Sequence, residues 1–187
     1  MRKIVVFNMI SVDGYFAGLD GNIDWHVVDD EFNEFAIEHT ADFGGIIFGR
    51  TTYELFEGYW PKALKDPKTG GDDRKIAQII DDIYKFVFSK SLNKVVWKNT
   101  TLLHEIDPEE IKKWKQMDGK DIAIFGSGTI VAQFAKLGLI DEYRLMVNPV
   151  ILGEGKSFFK GMDRRKLKLV KSREFKSSGN VLLYYQV

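Results

Sequence analysis

The sequence predicts an α/β protein with one mixed, mostly parallel sheet, helices on both faces and an antiparallel hairpin at the C-terminal end. Three observations carry that expectation. Short apolar runs at residues 4–7, 44–49, 84–89 and 121–125 read as buried strands. Segments whose apolar residues recur at helical spacing separate these runs. The chain then closes on two strand-like segments joined by a turn at Ser177, Ser178, Gly179 and Asn180. With 187 residues there is room for one domain with a full core, residues 1–187, and not for two of ordinary size.

Taken in order, residues 4–7 form the first strand, covered on both faces. A loop rich in glycine and aspartate follows, from Ser11 to Trp25, with Asp13, Asp24 and Trp25 as groups suited to a substrate pocket. Phe32, Phe35, Ala36 and His39 share a helical face, with Asp29 or Asp30 as N-cap. Residues 44–49 form a second buried strand and residues 50–56 a second helix. Residues 58–73 show little periodicity and hold half of the four prolines, which reads as a lid, a binding loop or a disordered insert. A short helix at 76–83 leads into the strand at 84–89, and residues 95–97 and 101–103 read as short edge pieces. Asp107 as N-cap, Pro108 in the first turn and Glu110 reaching back mark a further, outward-facing helix.

Residues 121–138 are the most informative stretch. Ile122, Ile124 and Phe125 belong to a strand, and Ile130, Val131, Phe134, Ala135 and Leu137 to a helix that Gly138 stops. Between them, Gly126, Ser127, Gly128 and Thr129 place two glycines and two hydroxyls at a helix start, an arrangement that binds anions through backbone N–H groups. An ordinary tight strand-to-helix connection would use the same residues. Gly49, Arg50, Thr51 and Thr52 repeat the pattern and add a guanidinium suited to a phosphate monoester. Beyond this stretch, residues 141–149 form a strand, 150–155 a turn, and 166–169 the start of the closing hairpin. The basic residues Lys166, Lys168, Lys171, Arg173 and Lys176 read as a solvated sheet face.

Composition narrows the function. A hydrophobic share of 44% with 13% aromatic residues fits a globular enzyme or binding domain. The 27 basic and 27 acidic side chains cancel, so the balance recruits neither nucleic acid nor an anionic membrane. The absence of cysteine removes disulfides, thiolate metal sites and cysteine nucleophiles, and His26, His39 and His104 lack ligand-like spacing, so no metal is expected. The N-terminal apolar run ends in polar Asn8 and lacks a cleavage site, and no stretch approaches the ~20 apolar residues of a membrane span. A cytoplasmic location is the expectation.

A Rossmann fingerprint would need glycine where Val131 stands, and the Walker lysine is missing. The ordered motifs match another architecture. Ser11, Asp13, Gly14, Ala17 and Gly18; Phe48 to Glu54; Phe88, Ser89 and Lys90; Phe125 to Thr129; and Asn148 to Gly155 resemble the dihydrofolate reductase-like superfamily. More closely, the chain resembles the riboflavin-biosynthesis reductase domain, found C-terminal in bifunctional deaminase-reductases. The resemblance spans essentially the whole chain and implies a dihydrofolate reductase-like three-layer fold. It further implies NADPH as hydride donor, with Gly126, Ser127, Gly128 and Thr129 on one side of the pyrophosphate and Gly49, Arg50, Thr51 and Thr52 on the other.

By the same resemblance Arg50, Ser89 and Lys90 surround the adenosine 2′-phosphate, Ala17 covers the nicotinamide, and Asn8, Trp25 and Asn148 line the substrate. A cis peptide at Gly126–Ser127 and a homodimer are also implied. No zinc deaminase domain is present, and Val131 stands where dihydrofolate reductases have tyrosine. The expected reaction passes hydride to a C=N or masked aldehyde carbon of a small heterocyclic substrate. It requires a proton donor, and Asp13, Asp30 and Glu154 are the candidates. A true dihydrofolate reductase and a nucleotide-binding protein without catalysis are the alternatives.

Overall fold

The computed structural model describes residues 1–187, and its elements alternate as the apolar runs anticipate. In chain order they are β1 (Ile4–Ser11), β2 (Tyr15–Ala17), α1 (Asp30–Ala41), β3 (Phe43–Gly49), α2 (Arg50–Lys65), α3 (Gly71–Asp82), β4 (Tyr84–Phe88) and β5 (Thr100–Leu103). There follow α4 (Pro108–Gln116), β6 (Asp121–Phe125), α5 (Gly128–Lys136), β7 (Glu142–Asn148), β8 (Lys156–Ser157), β9 (Lys168–Glu174) and β10 (Val181–Gln186). Eight strands form one sheet in the order β5-β4-β3-β6-β1-β7-β10-β9. The first six run parallel, and β10 pairs antiparallel with both β7 and β9.

The central strands are apolar on both sides because helices cover both. Ile4, Val6, Ile122 and Ile124 face a core closed by Ile111 of α4 and Ile130, Val131 and Phe134 of α5. Val5, Ile46, Phe48 and Ala123 face the opposite core, closed by Tyr53 of α2 and Ile76 and Ile80 of α3. Phe35 of α1 packs with Met146, Leu182 and Phe175 under the hairpin. Full burial of each such aliphatic side chain contributes roughly 1.5–3 kcal/mol, which makes the sheet centre the stability reservoir. No helix is long and apolar enough to cross a membrane.

Four expectations are corrected. Residues 58–65 are helical: α2 continues to Lys65 and α3 starts at Gly71, so only residues 66–70 connect them. Gly58 and Pro61 read as breakers, yet Tyr53, Phe56, Trp60 and Ala63 place one apolar stripe against the core. That burial offsets the ~3 kcal/mol cost of an interior proline. β1 runs on through the polar residues Asn8 and Ser11, both buried. Residues 95–97 are not a strand; Trp97 is buried and its indole N–H donates to Asp81 at 2.7 Å. Glu110 does not reach back to its cap: it accepts from the Trp114 indole at 3.0 Å, while Asp107 caps α4 by accepting from the Glu109 N–H at 2.9 Å.

Candidate active site

β3 and β6 are neighbours in the sheet, so the turns that follow them meet at its carboxyl edge. The Ser127 hydroxyl joins them, accepting from the Gly49 N–H at 2.8 Å and donating to the Phe125 carbonyl at 2.9 Å. In return the Ser127 N–H donates to the Thr52 hydroxyl at 3.1 Å. Asn8 of β1 donates from its amide to the Gly126 carbonyl at 3.1 Å. Asn8 therefore supports the glycine turn, where a substrate contact was expected.

The glycine at 126 is required by space and conformation together. Its φ is +57°, and a Cβ there would stand 2.8 Å from the Thr52 hydroxyl. Ser127 is also left-handed, with φ 57° and ψ 44°. The expected cis peptide is absent, since every peptide bond is trans and two successive left-handed residues make the turn instead. At Gly128 a Cβ would stand 3.0 Å from the Phe16 ring, so the segment around β2 closes directly on the start of α5.

The helix starts differ in charge. α1, α3 and α4 each carry two acidic residues in the first turn: Asp30 and Glu31, Asp72 and Asp73, Glu109 and Glu110. α2 and α5 carry none, and neither has a side-chain N-cap. Each helix start carries roughly half a positive charge from its leading N–H groups. At two joined turns that charge is therefore left for an outside anion. Thr51 and Thr129 lie exposed in the two first turns. Arg50 pairs with Glu54 at 3.3 Å, an exposed pair worth only a few tenths of a kcal/mol, so an anion can draw it away.

Beside α5 opens a cleft of about 510 Å³, walled by Ser89, Lys90, His104, Glu105, Gln133 and Lys136 among others. Ser89 is buried; its hydroxyl accepts from the N–H groups of Ser91 at 3.2 Å and Leu92 at 3.0 Å. The structure thus brings Ser89 and Lys90 into one cleft, whereas Arg50 lies outside its lining. Gln133 and Lys136 went unnoticed in the sequence although they follow Thr129 at helical spacing, four and seven residues on. His104 left no local signal: only the parallel pairing of β4 with β5 brings it to Ser89.

The candidate acids are dispersed. Asp13 accepts from the Ser11 hydroxyl at 2.6 Å, Gly153 N–H at 2.7 Å and Leu152 N–H at 3.2 Å. The Ser11 hydroxyl, aided by those amides, holds its carboxyl below the usual range. Asp13 is therefore held ionised as a clamp on the 150–155 turn, which speaks against a carboxylic acid of raised pKa at this position. Asp29 is likewise depressed, by the Ser177 hydroxyl and the Phe32 N–H that it caps. Asp30 and Glu154 lie exposed without side-chain partners.

Asn148 is fully buried, its carbonyl accepting from Val27 N–H at 2.9 Å and its amide donating to Met146 at 3.2 Å. Asn180 donates to the Val27 carbonyl at 2.8 Å. These two asparagines pin the loop that carries Trp25, so Asn148 positions the pocket rather than lining it. Trp25 stands edge-on to His26, with ring centroids 4.5 Å apart, and its indole N–H has no protein partner. Burial pushes the His26 imidazole down to about 4, so it is neutral at pH 7. Ala17 is buried beneath the 153–157 segment, where β2 pairs with β8.

Comparison with known proteins agrees with this architecture. A family model described as the RibD C-terminal domain matches residues 2–181. The uncharacterized protein YyaP of Bacillus subtilis is 34% identical over 189 aligned residues, covering 98% of this chain and 94% of YyaP. The uncharacterized YwjB of the same organism is 30% identical, covering 93% of this chain and 92% of YwjB. A putative riboflavin biosynthesis protein from Shewanella superposes with a TM-score of 0.71 at 21% identity, covering 99% of this chain and 98% of that one. A diaminohydroxyphosphoribosylaminopyrimidine deaminase/5-amino-6-(5-phosphoribosylamino)uracil reductase from Thermotoga maritima gives 0.67 at 17% identity, covering 99% of this chain and 56% of the other. At these identities the two structures speak for the fold. The dihydrofolate reductase-like sheet, its joined glycine turns and the family match together establish that this chain belongs to the RibD C-terminal domain family.

Proposed function

We propose that this protein is an NADPH-dependent reductase that transfers hydride to a small heterocyclic or masked-aldehyde substrate, akin to the reductase named in the Thermotoga structure. The observation that carries this reading is the contrast among helix starts: only α2 and α5 combine an acid-free first turn with a turn joined to the other's. The two adjoining, acid-free helix starts suit a pyrophosphate, and Thr51 and Thr129 offer exposed hydroxyls there, while the space over Gly126 and Gly128 is taken by Thr52 and the Phe16 ring. Arg50 flanks the anion, and Ser89 and Lys90 receive the adenosine end in the cleft beside α5. NADPH supplies the hydride. Phe16 and Ala17 close the loop over the turn, and Trp25 directs an unpaired indole N–H within the substrate loop.

The proton that completes the reduction comes from Asp30 or Glu154, directly or through water. A cytoplasmic setting and a homodimer belong to the same reading. β9 is a free sheet edge and exposes Leu169 (51%) and Val170 (45%), a surface suited to a second copy.

Titrating NADPH against the wild type and the Arg50→Ala and Lys90→Ala variants tests the cofactor site. Each variant should weaken NADPH binding about tenfold, the effect of losing roughly 1.4 kcal/mol of charge-assisted bonding. An unchanged NADPH affinity in both would refute the assignment. Dihydrofolate-dependent oxidation of NADPH would favour a dihydrofolate reductase instead, and tight binding without turnover on any pterin, pyrimidine or carbonyl compound a non-catalytic nucleotide-binding protein.

A further inference from the structure

His104 sits just beyond β5, with Nδ1 2.8 Å from the Ser89 carbonyl oxygen. A carbonyl can only accept, so Nδ1 carries the hydrogen. In the neutral ring Nε2 is then a lone-pair acceptor, and in the protonated ring it is a donor. No hydrogen bond within the protein occupies Nε2, and the ring lines the cleft beside α5. The charged groups that share that cleft are Lys90 from the end of β4, Glu105 from the segment of His104 itself and Lys136 from α5.

A phosphate dianion presents acceptors alone. The ammonium groups of Lys90 and Lys136 suit it, whereas a neutral Nε2 meets it lone pair to lone pair. Protonation turns that contact into a charge-assisted bond. We propose that His104 is a specificity-determining residue that couples binding of a 2′-phosphorylated dinucleotide to uptake of one proton, making the preference for NADPH over NADH pH-dependent. The inference rests on the dinucleotide reading above. The bound phosphate favours the imidazolium, and by reciprocity protonation of the ring strengthens phosphate binding. The added affinity is present where the ring is protonated and is lost as rising pH removes that proton. A phosphate monoester's own second ionisation lies near 6, so the effect is cleanest above about pH 6.5.

The test titrates the whole chain with NADPH and with NADH by fluorescence from about pH 6.5 to 8.5, as wild type and as His104→Gln. Calorimetry in two buffers of different ionisation enthalpy counts the protons taken up. NADPH affinity should fall several-fold across the range in the wild type while NADH stays level, and His104→Gln should abolish both the NADPH slope and the proton uptake. A variant that keeps the wild-type slope and uptake overturns the inference. Equal binding of NADPH and NADH at every pH overturns it while leaving the dinucleotide reading standing. Binding of neither overturns both.

Discussion

His39 lies within a cluster of phenylalanine rings, stacked on Phe35 with centroids 4.7 Å apart, tilted against Phe7 at 4.6 Å and edge-on to Phe43 at 4.9 Å. Burial, with the Arg144 charge adding to it, pushes the imidazole down to about 3. In the unfolded chain a histidine titrates near about 6.5, so between those values the unfolded state holds a proton that the folded state does not. Stability from this residue is therefore complete above pH ~6.5 and is lost on acidification toward 3, by up to ~1.4 kcal/mol per pH unit. His39→Phe should flatten the dependence of urea-unfolding free energy on pH between 7 and 5 by about 1 kcal/mol per pH unit, approaching the full slope only toward the acid end of that range. An unaltered slope would mean the ring is protonated in the fold. The sequence placed His39 on the apolar face of α1; its neutrality follows from rings on β1 and β3 that only folding brings near. Asp13 teaches the same lesson in reverse. Its place before Gly14 suggested a turn or an acid, and the amides that hold it come from residues 152 and 153.

Among the elements, the strand-turn-helix units β3–α2 and β6–α5 were legible because apolar runs, glycines and hydroxyl residues are local signals. Their mutual bonding was not, since Gly49 and Ser127 are 78 residues apart. Ser127→Ala removes the hydroxyl that satisfies the buried Gly49 N–H, and an orphaned buried donor costs about 1–3 kcal/mol. Chemical denaturation should register that loss, and NADPH titration of the same variant should show weaker binding, because the two helix starts are no longer held together. A variant matching wild type in both measurements would mean that the joint is incidental. The length of α2 shows how local signals mislead. Gly58 and Pro61 are breakers by propensity, but the stripe from Tyr53 to Ala63 is buried against the sheet, and tertiary burial outweighs local preference.

For the molecule as a whole, the strand order matters more than any single element. The six parallel strands β5-β4-β3-β6-β1-β7 set the segments that follow them at one edge, so Ser89, Gly49, Gly126 and the Asp13 and Trp25 loop converge there. The opposite end of the order leaves β9 unpaired along one side. If that edge forms the homodimer, light scattering of the wild type should give about twice the chain mass, and Leu169→Lys together with Val170→Lys should give the mass of one chain. A wild type that is monomeric at high concentration would remove the dimer from the proposal.

Apolar periodicity, the punctuation by glycine and proline, and the ordered motifs determined the α/β class, the strand-turn-helix units and the resemblance to the reductase family from the sequence alone. Those are properties of neighbouring residues, and the backbone reads them locally. Tertiary structure alone decided which hydroxyls and carboxylates remain free for a ligand. Ser127, Asn8, Asn148 and Asp13 have the chemistry of site residues, yet each is engaged by a partner far along the chain. His104, with no motif around it, acquires a role only because β4 and β5 lie side by side. A side chain's availability is set by what folding packs against it, and that information is not local.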